Sequence, residues 1–189
     1  MSKLINTYFI TPPEKPTQSG PEGIRYDFND GARVLLPEGK WHVRLMDADS
    51  GNILFSCDAD NGWVRSCKKY FIRFRIQVFH RGNDTPLMDE TLNLKNQPVL
   101  ISFPTGTLGD LLGWFPYAER FQTLHKCQLE CTMAQEIIEL LAPQYPQIQF
   151  STPDNPHTIT PYATYRVGLY FGGDTTNQPI DFRQVGFHR

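Results

Sequence analysis

Residues 98–116, Pro98-Val-Leu-Ile-Ser-Phe-Pro-Thr-Gly-Thr-Leu-Gly-Asp-Leu-Leu-Gly-Trp-Phe-Pro116, decide the fold. The apolar run from Pro98 to Phe103 is too continuous for a half-solvated strand and suits one buried on both faces, as in a parallel sheet. A glycine-containing loop follows. Apolar residues then recur at helical spacing from about Leu108 to Leu124, so the stretch opens a βα unit. Pro116 cannot donate a backbone hydrogen bond and is expected to kink this helix or open a second segment. Downstream, a short strand at Cys127 to Cys131, a helix from about Met133 to Leu141 and a strand at Ile148 to Phe150 continue the alternation that implies a parallel sheet. Residues 151–161 read as a polar, proline-rich loop, and Tyr162 to Phe171 as a further strand or helix.

Upstream of about residue 95 the period changes to two. Trp41, Val43 and Leu45 alternate with His42, Arg44 and Met46, while Tyr70, Ile72, Phe74, Ile76 and Val78 alternate with Phe71, Arg73, Arg75 and Gln77. Asp49-Ser-Gly-Asn52, Asn61-Gly62 and Arg81-Gly-Asn-Asp84 supply residues tolerant of positive φ, and predict tight hairpin turns. The proline-rich stretch 11–23 reads as an extended lead-in. The expected class is α+β: an extended segment (1–23), an antiparallel β-sheet or barrel (24–95) and the start of an α/β unit (96–189).

Composition narrows function. With 18 Lys+Arg against 20 Asp+Glu the net charge is −2, which gives no electrostatic reason to expect nucleic acid. Fourteen Gly and 15 Pro favour turns and short elements over a helical bundle. The richest apolar runs fall far short of the roughly 20 residues of a membrane span, and the N-terminus lacks the apolar core of a secretory signal; a cytoplasmic protein is expected. Four cysteines are too few for a disulfide scaffold.

Ligands of open parallel sheets sit beyond the carboxyl ends of the strands, where the loop 104–109 lies. Gly106 and Gly109 permit close approach to the backbone, and N–H groups at the helix start can receive a hydroxyl-rich or anionic ligand. Asp110 either faces this crevice or caps the helix. Thr105 and Thr107 either donate to a ligand or satisfy the loop itself. Trp114, Phe115, Tyr117 and Phe121 offer faces for a sugar, although helical spacing favours packing. Cys127-x-x-x-Cys131, with His125 nearby, suggests soft metal ligands, but the spacing is not that of a CxxC pair and no metal is assigned to this chain. The segment is neither a P-loop nor a dinucleotide fingerprint. Arg73 and Arg75, with Arg44, suggest an acidic partner or, more ordinarily, a solvated face.

Gly109-Asp-Leu-Leu-Gly-Trp-Phe-Pro116 resembles the Gly-Asp-apolar-apolar-x-x-x-Pro signature of lipopolysaccharide-type heptosyltransferases. With Phe103 to Tyr117, Glu119-Arg-Phe-Gln122, Tyr145-Pro146 and Tyr165 to Phe171, the chain is similar to the bacterial autotransporter strand-loop-strand O-heptosyltransferases. The resemblance implies a β-domain ahead of a GT-B catalytic domain, of which residues 96–189 are less than one complete Rossmann-like half. It further implies heptose transfer from ADP-heptose to Ser or Thr hydroxyls of autotransporter adhesins, with inversion. Asp110 would be the general base, and Thr105, Gly106, Thr107, Leu108, Gly109 and Trp114 would shape the substrate loop. The resemblance also implies a homo-oligomeric ring, and an iron that full-length members hold outside this stretch. With the nucleotide-binding half absent, the chain alone is expected to transfer heptose poorly or not at all. The alternative is a non-catalytic, truncated module for oligomerisation or adhesin binding.

Overall fold

The computed structural model describes residues 12–67, 72–104, 106–155 and 158–167. They divide into two compact units, one of residues 12–94 with 161–164, the other of residues 95–160 with 165–167.

In the first unit, the period-two pattern folds as antiparallel sheet. Strands β1 (Gln18–Ser19), β2 (Arg25–Asn29), β3 (Arg33–Leu36), β4 (Trp41–Asp47), β5 (Ile53–Ala59), β6 (Gly62–Arg65), β7 (Phe74–His80) and β8 (Met88–Thr91) form two groups. One runs β1-β2-β3-β6 and the other β5-β4-β7-β8. Neither order closes on itself among the described strands, so they form open sheets and not a barrel. Trp41, Val43, Leu45, Ile76 and Val78 are buried on one face of the second sheet, as alternation requires. The opposite face is charged. There Arg75 pairs with Asp89, and Arg44 lies 4.7 Å above the Phe79 ring; Arg73, at the sheet's end, bonds Asp49.

Two of the predicted turns join paired neighbours. Gly51 (φ 73°) turns β4 into β5, and Gly82 (φ 89°) lies in the connection from β7 to β8. Asn61-Gly62 departs from expectation. β6 pairs with β3 and not with β5, so this turn carries the chain from one sheet to the other. Glycine at φ 90° serves that crossing as well as a hairpin, and local turn chemistry does not choose between them. Residues 12–23 lead in through β1 and a single 3₁₀ turn, Pro21–Gly23.

A buried network closes this unit. Arg33 makes a two-point ion pair with Asp27 (Nε–Oδ1 2.7 Å, Nη2–Oδ2 2.6 Å). Asn29 Nδ2 donates to Asp27 Oδ2 and to the Pro161 carbonyl, and Thr164 Oγ1 donates to Asn29 Oδ1. Ala163 and Thr164, in strand β12 (Ala163–Arg166), thereby add to β2 in parallel.

In the second unit, β9 (Pro98–Ser102), β10 (Gln128–Thr132) and β11 (Gln149–Ser151) are parallel, in the order β9-β10-β11. Helix α1 (Leu108–His125) joins the first two strands, and α2 (Gln135–Leu141) the next two. Pro116 lies inside α1, which runs as one helix: its ring faces solvent and only one backbone bond is forgone. Phe115 is the hub of the α1 interface, stacked on Phe150 (5.7 Å), edge-on to Tyr145 (4.8 Å) and 6.3 Å from Phe103. The expected strand or helix at Tyr162 to Phe171 is β12, as far as the described residues reach. Tyr70 and Phe71 of the expected alternation lie outside them.

Candidate functional site

Beyond the carboxyl ends of β9, β10 and β11 opens a cleft of about 470 Å³. Phe103, Pro104, Gly106 and Leu111 line it from the β9–α1 side, Ala134, Gln135 and Glu136 from the start of α2, and Thr152, Pro153 and Asp154 from the chain after β11. This is where open α/β sheets bind ligands, because the backbone leaves each strand there and frees loops to diverge.

Gly106 stands at φ 141°, and a Cβ there would meet the Trp114 ring at 3.1 Å and Asp110 Cβ at 3.3 Å. Glycine thus lets the loop lie against the first turns of α1. Thr107 is the N-cap and Asp110 the N3 residue of a capping box. Asp110 Oδ2 accepts from the Thr107 N–H (2.8 Å) and hydroxyl (2.9 Å), and the Asp110 N–H donates to Thr107 Oγ1 (3.3 Å). Both ordinary uses foreseen for these residues are therefore realised: the aspartate caps and the threonine satisfies the loop. The cap occupies one carboxylate oxygen, and among the described residues no donor reaches Oδ1. The Thr107 backbone bond first, and its hydroxyl second, hold the Asp110 carboxyl below the usual aspartate range, so it is ionised at neutral pH.

Leu108 and Gly109 are exposed in the first turn of α1, and Trp114 is half-buried against Gly106. Thr105 lies outside the described residues. Phe115 is core, and Phe121 packs edge-on to Tyr165 at 5.2 Å. The structure brings Gly106 into the cleft lining; Asp110 and Trp114 lie next to Gly106 but are not among the lining residues. The linings from α2 and from Thr152 to Asp154 escaped the sequence reading, although the rule that pointed past β9 applies equally to β10 and β11.

Cys127 and Cys131 are both buried. Burial pushes the Cys127 thiol up to about 11 and that of Cys131 further, against the thiolate a metal requires. Among the described residues no three His, Cys, Asp or Glu side chains cluster as a metal site, and no helix is long and apolar enough to cross a membrane. A second polar chain, Ser56 Oγ to His42 Nε2 (3.0 Å) and His42 Nδ1 to Asp58 (2.6 Å), spans β4 and β5. Arg44 Nε also donates to His42 Nε2, and Arg81 shares Asp58; the group belongs to the ion-pair lattice of that charged face.

A parallel sheet with crossover helices, and a cleft with an ionised carboxylate near its strand ends, defines an α/β unit; by sequence the chain is similar to the autotransporter heptosyltransferases. The model of the N-terminal domain of glycosyltransferase TibC matches residues 20–82. Autotransporter heptosyltransferase TibC of Escherichia coli O78:H11 is 81% identical over all 189 residues, which are 47% of its own length. The chain thus spans about half the length of the curated relatives it matches. Two crystal structures of TibC, also 81% identical, superpose with a TM-score of 0.86 over 95% of this chain and 47% of theirs. One is described as an iron-containing dodecamer, and the other is a complex with ADP-D-β-D-heptose. A further relative, 43% identical over 182 residues (96% of this chain and 43% of its own), is the inactive autotransporter heptosyltransferase BimC of Burkholderia thailandensis.

Proposed function

We propose that this chain carries the acceptor side of a protein O-heptosyltransferase, which moves heptose from ADP-heptose to Ser or Thr hydroxyls of autotransporter adhesins in the cytoplasm. The observation that carries the reading is Asp110: ionised, half-exposed at the carboxyl end of a parallel sheet, and with one oxygen uncommitted to any described residue. An alcohol is a poor nucleophile at neutral pH, and its proton must leave as the glycosidic bond forms. Oδ1 takes that proton while Oδ2 stays on Thr107, so the cap holds the base in place. Attack from the acceptor side inverts the anomeric carbon and expels ADP, so no enzyme nucleophile is required. In this reading Gly106, Thr107, Leu108 and Gly109, with Thr105, shape the acceptor loop, and Trp114 backs it.

Charge supports the acceptor assignment. Glu136 and Asp154 line the cleft and, among the described residues, no Lys or Arg does, a surrounding suited to a neutral hydroxyl and not to a diphosphate. Stabilising the leaving ADP takes cationic or backbone donors, and none of the residues above is assigned that task. The β9-α1-β10-α2-β11 order is consistent with the start of a Rossmann-like domain of GT-B type. The full reading has residues 96–189 in that domain, a β-domain at 24–95 after a lead-in at 1–23, and assembly into a homo-oligomer, as TibC assembles.

The test is intact-mass detection of heptose on a co-expressed autotransporter passenger. Asp110→Asn, which keeps the size and an acceptor oxygen for Thr107, is expected to lower transfer by about 10²-fold or more; unchanged transfer overturns the role. The inactive relative BimC favours a second reading, a non-catalytic module for assembly or adhesin binding. That reading predicts passenger binding equal in wild type and Asp110→Asn, with no added heptose mass in either.

A further inference from the structure

We infer that Glu130 is a positioning residue that holds the cleft wall Thr152–Asp154 in place through Thr158. Its place follows from strand register. Cys131 is level with Ile101 and with Phe150, and Phe150 packs on Phe115 of α1, so Leu129 and Cys131 face α1. Glu130 and Thr132 face the other way, where Thr132 Oγ1 and Ser151 Oγ are 2.9 Å apart. Glu130 is only 1% exposed. Its Oε2 accepts from both the N–H (3.3 Å) and the hydroxyl (3.2 Å) of Thr158, while Oε1 is buried with no hydrogen-bond partner among the described residues.

A half-satisfied buried carboxylate destabilises a fold, and an apolar side chain of similar size would fill the same sheet face without that penalty. Stability therefore gives no reason for glutamate here; what the carboxylate does reach is one exposed threonine. Thr158 lies four residues after Asp154. Upstream, Thr152 leaves β11 directly, and the Asn155 N–H closes a turn onto the Thr152 carbonyl (3.1 Å) and hydroxyl (3.2 Å). The wall is thus fixed at one end by the sheet and at the other by Glu130, which reaches it from the middle strand. A single oxygen does the holding, so an amide at position 130 serves as well as a carboxylate.

The kinetic consequence rests on the heptosyl-transfer reading; the structural one does not. Three variants of the chain separate them: Glu130→Ala removes the anchor, Glu130→Gln keeps an acceptor oxygen, and Thr158→Val removes one donor at an exposed position that leaves the core intact. Amide exchange at Thr152, Asp154 and Asn155 is expected to quicken about tenfold in Glu130→Ala, less in Thr158→Val, and to stay near wild type in Glu130→Gln. In heptose transfer, KM for the acceptor rises about tenfold in Glu130→Ala while kcat moves less than about twofold, and Glu130→Gln restores KM. Unchanged exchange in both Glu130→Ala and Thr158→Val overturns the inference, as does Glu130→Gln behaving like Glu130→Ala. Should Glu130→Ala not fold, Thr158→Val decides. Should no heptose transfer occur in any form, the exchange result still decides the anchor, and only the transfer reading fails.

Discussion

In the proposed reading Asp110 combines the cap with a second role, as base, that a single-role reading would set against the first. A carboxylate has two oxygens with several lone-pair directions, and the capping box draws on one of them. The hydrogen bonds that cap the helix also stabilise the ionised form, which depresses the pKa; in the proposed role that makes Asp110 a weak base that is ionised across the neutral range. With the folded-state value below the unfolded one of about 3.9, the acid limb of kcat/KM is expected below that pH. A pH–rate profile checks this; an Asp110-dependent limb near neutrality would contradict it. The same sign governs folding. The contribution of this group is present above the unfolded pKa and is lost as pH falls through the folded one.

At the scale of elements, α1 joins the loop to the sheet, and its N-terminus is where sequence and chemistry meet. Thr107→Ala removes the N-cap and both hydroxyl bonds with Asp110, and is expected to lower stability by about 1 kcal/mol in urea unfolding. The Asp110 pKa should rise toward the ordinary value in the same variant, moving the acid limb of the rate profile upward. A variant that loses stability with an unmoved limb would separate the cap from the base. Most of the aromatic residues that carry the family resemblance are packing residues. Phe103, Phe115 and Tyr145 gather around the α1 face, and Tyr165 meets Phe121. Helical spacing marks such residues as buried without naming their partners, because partners such as Tyr145 and Tyr165 arrive from 30 or more positions away.

At the scale of the molecule, the first unit is completed by residues distant in sequence. Pro161 to Thr164 reach β2 through Asn29, which is held in turn by Asp27 and Arg33. Asp27→Ala leaves the Arg33 guanidinium buried without its carboxylate, and is expected to cost about 3–5 kcal/mol, measured as a fall in the urea midpoint. Replacing Asp27 and Arg33 together by apolar residues should recover much of that loss. A loss below about 1 kcal/mol in the single variant would mean that the pair is solvated and does not close the unit.

The sequence by itself determined what repeats locally. Period-two and helical patterns, glycine at turns, and the Gly109-Asp-Leu-Leu-Gly-Trp-Phe-Pro116 signature placed β4, β7, β9, β10, β11, both helices and the family resemblance within reach, because side-chain periodicity and φ preference are properties of neighbouring residues. Only the tertiary structure decided which strands pair across the Asn61-Gly62 turn, that α1 passes unbroken through Pro116, and that Glu136 and Asp154 share a cleft with Gly106. It also decided that Glu130, a buried carboxyl in the middle strand, reaches Thr158. Those outcomes depend on burial and register between segments far apart in the chain, which no local pattern encodes.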